Sequence, residues 1–302
     1  IDDGTDPLVT GLDYLARWAA LAGGLTAVGA AALATAAKRE RAAGRRLRTL
    51  AVVSATAGAV AVAVLLVTQA ASATGRSLPG GLGVTWELAS GTRTGKLTLA
   101  RLVALVVAAV LAWLGWVWRR APWAPVVAVA VSFTATSASG HAWTAERRGL
   151  AVVTDVAHLG AVAVWVGGLV AVAAVFGAVE DRPRLLRRFS GVALVAAVVV
   201  AASGTVSGYE QVGSLGALTG TGYGRLLLAK VAGFAGLVGL GWLNRRRLLP
   251  ALERSASVLV RNVRAEVGIA AAVLAVTAVL IGQAPARVTY SQPYAATESV
   301  AN

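Results

Sequence analysis

The stretch LAVVSATAGAVAVAVLLVTQAASA, residues 50–73, contains no charged side chain, and Arg48 and Arg76 lie just beyond its two ends. A helix rises about 1.5 Å per residue, so about 20 apolar residues cross the hydrocarbon core of a bilayer. This stretch is long enough to do so as one helix. It therefore predicts a transmembrane helix, and it sets the pattern that the rest of the chain repeats.

The composition of the whole chain agrees with a membrane protein. Hydrophobic residues make up 57% of the 302 residues and charged residues only 14%, against roughly 25% charged in an average soluble domain. The net charge of +14 would suggest a nucleic-acid partner in a soluble protein. Here the basic residues fall in short connections between apolar segments, so no nucleic-acid partner is expected.

The apolar pattern predicts an all-α, polytopic membrane protein, a bundle of eight transmembrane helices with both termini outside. The eight predicted spans are Leu12–Ala37, Leu50–Ala73, Leu97–Val117, Ala124–Ser139, Leu150–Ala178, Phe189–Tyr209, Gly224–Leu243 and Glu266–Ile281. Residues 1–11 are expected to form an outer linker, residues 12–281 the membrane domain, and residues 282–302 an outer tail.

The orientation is predicted from the distribution of basic residues among the connections. Basic residues concentrate in four connections, residues 38–48, 119–120, 182–188 and 245–264. Because positively charged loops stay in the cytoplasm, these connections are placed inside. The loops at residues 75–96, 141–149 and 210–223 then lie outside. In the packed bundle, Gly23-Gly24, Gly167-Gly168 and the Gly233/Gly236/Gly239 row are candidate contact faces, because small residues let transmembrane helices approach closely.

His141 and His158 are the only histidines, and the chain has no cysteine and no methionine. His141 lies at the outer end of the fourth predicted span, and His158 lies about two turns into the fifth. Asp155 precedes His158 by three residues and shares its helix face. An ionisable residue inside a membrane is a candidate functional residue, so this pair is the first candidate site. A carboxylate at Asp155 would orient the His158 ring.

Four other ionisable residues fall within or beside predicted spans. Arg17 follows Asp13 by one helical turn. Glu266 is placed at the inner interface, near Arg261 and Arg264. For Arg101 and Lys230 two interpretations stand open. Each side chain either extends to the interface with its stem in lipid or pairs with a charge inside the bundle. Asp155 is too short to reach the interface and is expected to pair with His158, Arg101 or Lys230.

Four motifs in this chain resemble those of a known family. They are DVAHLGAVAVWVGGL at 155–169, SGHA at 139–142, GYGRLLLAK at 222–230 and NRRRL at 244–248. These motifs are similar to those of the copper resistance D family of bacterial inner-membrane proteins, and the resemblance runs over most of the chain. It implies copper handling at the cytoplasmic membrane, with uptake as the expected direction. It also implies an outer copper carrier of the CopC type. In Gram-positive relatives that carrier can be fused to the N-terminus, and the acidic residues 1–13 fit the end of such a linker.

On this resemblance, the copper ion would bind on the outer side at His141 and His158. Asp155 would serve as ligand or orienting partner, and Glu210, with Tyr209 or Tyr223, would add to the site. Without Cys and Met the chain lacks the soft ligands that select Cu(I), while nitrogen and oxygen donors suit Cu(II). The oxidation state is left open.

Two alternative functions stand beside copper handling. Two histidines on facing helices can ligate one haem iron, and a structural or scaffold subunit would use its histidines only for hydrogen bonds. An enzyme is not expected, because the sequence shows no nucleophile–base pair and no phosphate-binding loop in the required context.

Overall fold

The fold of the chain is known from a computed structural model, which describes residues 6–36, 40–140 and 148–290. The described residues are helical, with no strand among them. The helices are α1 (Pro7–Ala36), α2 (Arg41–Thr74), α3 (Leu78–Gly91), α4 (Arg93–Trp113), α5 (Gly115–Arg120), α6 (Ala124–Ser139), α7 (Arg148–Val162), α8 (Gly168–Val175), α9 (Arg182–Val212), α10 (Leu215–Gly220), α11 (Gly222–Leu243), α12 (Leu252–Ile281) and α13 (Ala286–Thr289). Two π-helical segments continue helices, Ala163–Gly167 between α7 and α8 and Asn244–Leu248 after α11.

Seven helical segments in the described part of the chain are long and apolar enough to cross a membrane. The chain is therefore a multi-pass membrane protein. The fourth predicted span is present as α6, but its 16 residues cover only about 24 Å, which is less than the roughly 30 Å of hydrocarbon. The count of eight spans thus depends on this short helix.

Most helices extend beyond the predicted spans, because the prediction followed apolar residues alone. The second span begins at Arg41 rather than Leu50, and the last begins at Leu252 rather than Glu266. Basic residues are good helix formers, so these helices continue past their apolar segments into charged connections. Two of the predicted outer loops also contain helices, α3 and α10. The helices that follow, α4 and α11, are capped by Thr92 and Thr221, and each threonine side chain accepts a hydrogen bond from a backbone N–H.

The basic connections meet at one end of the bundle. The backbone N–H of Glu180 donates to the Glu40 side chain at 3.3 Å, which joins the α1–α2 connection to the one before α9. The Arg245 guanidinium donates to the Ser190 hydroxyl at 3.1 Å. The Arg48 guanidinium lies against Gly115, at the start of α5. The clustering that the charge pattern predicts is therefore present in the tertiary structure.

The core is built around α1, the most buried of the long helices. A methyl group added at Gly29 would overlap the backbone of Gly167, and one added at Gly23 would overlap the α2 backbone at Gly58. The predicted contact faces at Gly23-Gly24 and Gly167-Gly168 are therefore confirmed. In the third, Gly233 packs against a side chain of α12, whereas Gly236 has nothing within 4 Å of an added methyl group. Large apolar side chains on the outer faces of the bundle remain exposed, as expected for surfaces that contact lipid.

Candidate functional site

His158 forms its hydrogen bond with α9, not with its own helix. Its Nδ1 lies 2.9 Å from the Ser203 hydroxyl oxygen, and the ring edge lies against Gly204, where an added methyl group would be 3.6 Å from Cε1. The expectation that Asp155 orients this ring is wrong for Nδ1, because Ser203 occupies that position. Asp155 is one turn away on the same helix, but its side chain is engaged elsewhere.

The bonding of Ser203 assigns the proton on the imidazole. The Ser203 hydroxyl donates to the Val199 carbonyl oxygen at 2.6 Å, so its oxygen is left to accept from His158. The Val200 carbonyl, which can only accept, also interacts with the ring. Nδ1 is therefore assigned as the protonated nitrogen. Nε2 is left with its lone pair, and no described residue forms a hydrogen bond with it. This is the arrangement found in metal-binding histidines, where a partner on one nitrogen fixes the ring for coordination by the other.

The Asp155 carboxylate lies between two other polar groups. The Lys230 ammonium of α11 interacts electrostatically with both Asp155 and His158. The Ser137 side chain, at the end of α6, lies beside Asp155, yet its buried hydroxyl forms no hydrogen bond of normal geometry with a described residue. Of the partners expected for Asp155, Lys230 is the one whose charge acts on the carboxylate, although the two groups are not within salt-bridge distance. Side chains from α6, α7, α9 and α11 thus converge on one polar site.

The depth of these residues is similar along each helix. Ser203 lies nine residues before the end of α9, His158 ten residues after the start of α7, and Lys230 eight residues after the start of α11. At 1.5 Å per residue these positions are about 12–15 Å from the same end of the bundle. Beneath the site, Trp165 packs edge-on against Phe234, with ring centroids 5.8 Å apart.

Two of the other predicted ligands, Glu210 and Tyr223, lie away from His158. His141 lies outside the described residues. Glu210 follows Ser203 by seven residues on α9, so it shares the same face but lies about 10 Å along the axis. Tyr223 is buried and donates its hydroxyl hydrogen to the Gln211 side chain, so it does not join His158. Within the described residues, no group of three or more metal-ligating side chains is found.

A second polar cluster lies between α1, α2 and α4. Asp13 accepts from Arg17 at 2.5 Å and from the Thr68 hydroxyl at 3.1 Å. Arg101 is 8% exposed, so the alternative in which it reaches the interface is wrong. Its charge interacts with those of Arg17 and Asp13. Its Nε has no hydrogen-bond partner among the described residues.

A third polar cluster lies near the basic end of the bundle. Glu266 is 4% exposed and accepts from the Asn244 side-chain amide at 2.6 Å. Asn262 donates to Asn244 at 2.9 Å. The prediction that Glu266 is an interface residue is therefore wrong. Its carboxylate is satisfied by an amide from the π-helical segment after α11, not by a neighbouring arginine.

Sequence reasoning missed Ser203, Ser137 and Asn244. Serine inside a transmembrane helix is common, because its hydroxyl can bond the carbonyl one turn earlier. Nothing in the local sequence distinguishes Ser203 from Thr205, which makes the same backbone bond but is exposed. Only the neighbouring helix separates the two. For Asn244, its place in the NRRRL motif was the available signal.

The fold and the clusters define a multi-pass helical membrane protein with polar sites inside an apolar bundle. The sequence model described as "Copper resistance protein D-like, N-terminal domain" matches residues 9–147. The model described as "Copper resistance protein D" matches residues 183–280. The chain belongs to the copper resistance protein D family.

A curated relative carries a more specific name. "Copper transport protein CutJ" from Bacillus subtilis (strain 168) is 29% identical over 185 residues, which is 59% of this chain and 34% of that protein. The match thus spans about a third of the length of this relative. No solved structure matches the chain.

The two family models cover two of the three polar clusters fully and the His158 site only in part. The Asp13–Arg101 cluster lies in the first matched range, and Ser203, Lys230 and Glu266 lie in the second. Residues 148–182, with Asp155 and His158, lie between the two ranges. His158 is therefore singled out by its geometry in the bundle and by the motif around it.

Proposed function

We propose that this protein carries copper across the membrane, and that the ion binds during transit at Nε2 of His158. The observation that carries the proposal is the 2.9 Å contact between His158 Nδ1 and Ser203. It fixes the ring and leaves a nitrogen lone pair inside the bundle. The family and the name of the relative supply the identity of the cargo. The role is that of a transporter rather than an enzyme.

Asp155 and His141 complete the proposed copper site. Imidazole nitrogen and carboxylate oxygen suit Cu(II) better than Cu(I). Ser137 adds support, because its hydroxyl lacks a hydrogen bond of normal geometry beside Asp155. A buried polar atom of this kind fits a site whose ligand supplies the missing partner.

Lys230 gives the site a means of release. Its ammonium and a copper ion would compete for the Asp155 carboxylate, because both are cations and the carboxylate is shared. When copper binds, the ion and Lys230 repel each other; when copper leaves, the charge of Lys230 again stabilises the Asp155 carboxylate. A transport site has to bind weakly enough to release its ion. Lys230 keeps the affinity of this site moderate.

The topology completes the proposal. With α6 as an eighth span, both termini lie outside and the basic connections lie in the cytoplasm. The site is then in the outer half of the bundle, at a depth suited to receiving copper from an outer carrier of the CopC type. The proposed direction is uptake, across the inner membrane of a bacterium.

Copper binding by purified protein in lipid nanodiscs tests the site. His158→Ala and His141→Ala should each lose stoichiometric copper in metal analysis after dialysis, while the protein still elutes as a folded monodisperse species. His158→Asn provides a variant that retains a side-chain amide for Ser203. Proteoliposomes loaded with a copper indicator then measure whether loss of binding abolishes transport.

The same samples separate the alternatives. If both histidine variants bind copper as the parent does, the site assignment is wrong. If no variant or parent binds copper, a scaffold role replaces transport. An absorption spectrum with a Soret band at one haem per chain would show that the histidines ligate haem.

A further inference from the structure

The cluster of Asp13, Arg17, Thr68 and Arg101 contains more positive than negative charge. The Arg17 guanidinium pairs with the single Asp13 carboxylate, and the charge of Arg101 interacts with both groups at longer range. Both oxygens of that carboxylate are already engaged, one by Arg17 and the other by the Thr68 hydroxyl. Within the described residues, no carboxylate lies within salt-bridge distance of Arg101. One positive charge inside the bundle is therefore left without a counter-charge.

The Arg101 side chain also has an unused donor. Arg101 is 8% exposed, and its Nε has no partner among the described residues. Leaving a buried donor unpaired is costly, and more so when it carries charge. A bound ligand that accepts a hydrogen bond and carries one negative charge would satisfy both deficits.

A cavity lies near this cluster, toward the end of the bundle where α4 begins, although no residue of the cluster lines it. It measures about 140 Å³ and is lined by parts of α2, the end of α3 and the first turn of α4. Gln69 lines it, and the Thr98 hydroxyl donates to Gln69 at 3.2 Å. Thr98 lies one turn before Arg101. The Gln69 side of the cavity is therefore about one helical turn from Arg101 along α4.

The walls of the cavity favour an anion. The first turn of α4 faces the cavity through Gly95, and a helix N-terminus carries partial positive charge. Much of the remaining lining is alanine and leucine, which cannot hydrate a multiply charged ion. A small monovalent anion fits both the single excess charge and the apolar walls.

We propose that Arg101 and Arg17 form a binding site for a small monovalent anion such as chloride, entered through the cavity between α2, α3 and α4. The site is separate from the one at His158, since different helices build it. The anion offsets the excess charge of the arginine pair and holds α1, α2 and α4 together. This inference does not depend on copper transport.

Binding of radiolabelled chloride to the full chain in uncharged nanodiscs tests the proposal. The parent should bind about one chloride per chain, and its melting temperature should rise when chloride replaces gluconate at constant ionic strength. Arg101→Gln should weaken chloride binding at least about tenfold and abolish the chloride-dependent rise. Lys96→Gln is the matched control, because it removes the same charge from an exposed position of the same helix. It should behave as the parent.

Two further variants keep the test decisive if Arg101→Gln does not fold. Arg101→Lys retains the charge but removes the Nε donor, and should weaken chloride binding. Asp13→Asn removes the competing carboxylate and should strengthen it. Failure of the parent to bind chloride, or an equal loss in Lys96→Gln and Arg101→Gln, would overturn the proposal.

Discussion

Ser203→Ala isolates the contribution of the hydrogen bond that orients His158. The substitution removes one oxygen atom and leaves the imidazole, the carboxylate and the ammonium of the site in place. His158 Nδ1–H then loses its 2.9 Å acceptor. The ring is free to rotate, or to move its proton to the nitrogen that would bind copper. Copper affinity should fall although no proposed ligand has changed.

The size of the effect follows from the burial of the bond. Ser203 is 8% exposed, and an unsatisfied donor in such a place costs about 1–3 kcal/mol. Since 1.4 kcal/mol corresponds to a factor of ten, the dissociation constant for copper should rise about 5- to 150-fold. Loss of partners that orient metal ligands in other proteins weakens metal binding by about 10- to 100-fold.

Competition titration against a chelator of known copper affinity, with the protein in nanodiscs, measures this change. Thr205→Ala is the matched control, because Thr205 makes the same type of bond to the carbonyl one turn earlier on α9 but is exposed. Ser203→Thr retains the hydroxyl and should restore most of the affinity. Equal copper affinity in Ser203→Ala, Thr205→Ala and the parent would refute the orienting role of Ser203 and the tautomer assigned to His158.

Three further predictions concern the charged site, the helix packing and the inner polar cluster. Lys230→Gln should tighten copper binding by about tenfold or more in the same titration, because charge–charge interactions of this kind amount to a few kcal/mol. The substitution removes a nearby cation that competes with copper for Asp155. Weaker copper binding would show that Lys230 does not compete with the ion. Gly29→Ala should prevent folding or lower the melting temperature sharply, because the added methyl group overlaps backbone atoms of Gly167. Gly236→Ala is the control and should leave the melting temperature nearly unchanged. Similar melting temperatures of the two variants would contradict the close packing of α1 at Gly29. Glu266→Ala should destabilise the protein by about 1–3 kcal/mol in detergent unfolding, because it leaves the Asn244 side-chain amide unpaired. Glu266→Gln should recover most of that loss. Equal stability of the two variants would refute the Asn244–Glu266 hydrogen bond as a source of stability.

The hydropathy pattern predicted most of the helices but not their ends. The segment at residues 50–73 predicted its helix because a spanning segment must be apolar over a length that the bilayer fixes. The same rule says nothing about residues 41–49 of α2, which are helical for local reasons. The pattern also predicted α6 as a span with the bounds that the structure has, although its 16 residues fall below the length that the rule requires.

The roles of the polar residues were only partly predictable. His158 and Asp155 could be selected from the sequence because ionisable side chains are rare inside membranes. Their partners could not, since Ser203, Ser137 and Lys230 are brought to them by three other helices. Arg101 and Glu266 were assigned to interfaces or left between alternatives for the same reason. Whether a charged side chain reaches water or lies buried depends on which face of its helix meets a neighbour.

The sequence by itself determined that this chain spans a membrane many times, where its basic connections cluster, and which family it belongs to. Each of these depends on composition, periodicity or motif, which are properties of short segments. The tertiary structure alone decided that Ser203 rather than Asp155 contacts the Nδ1 of His158, that the charge of Lys230 acts on Asp155, and that Arg101 is buried with an unused donor. Those contacts join residues on different helices, far apart along the chain, and they exist only once the helices pack.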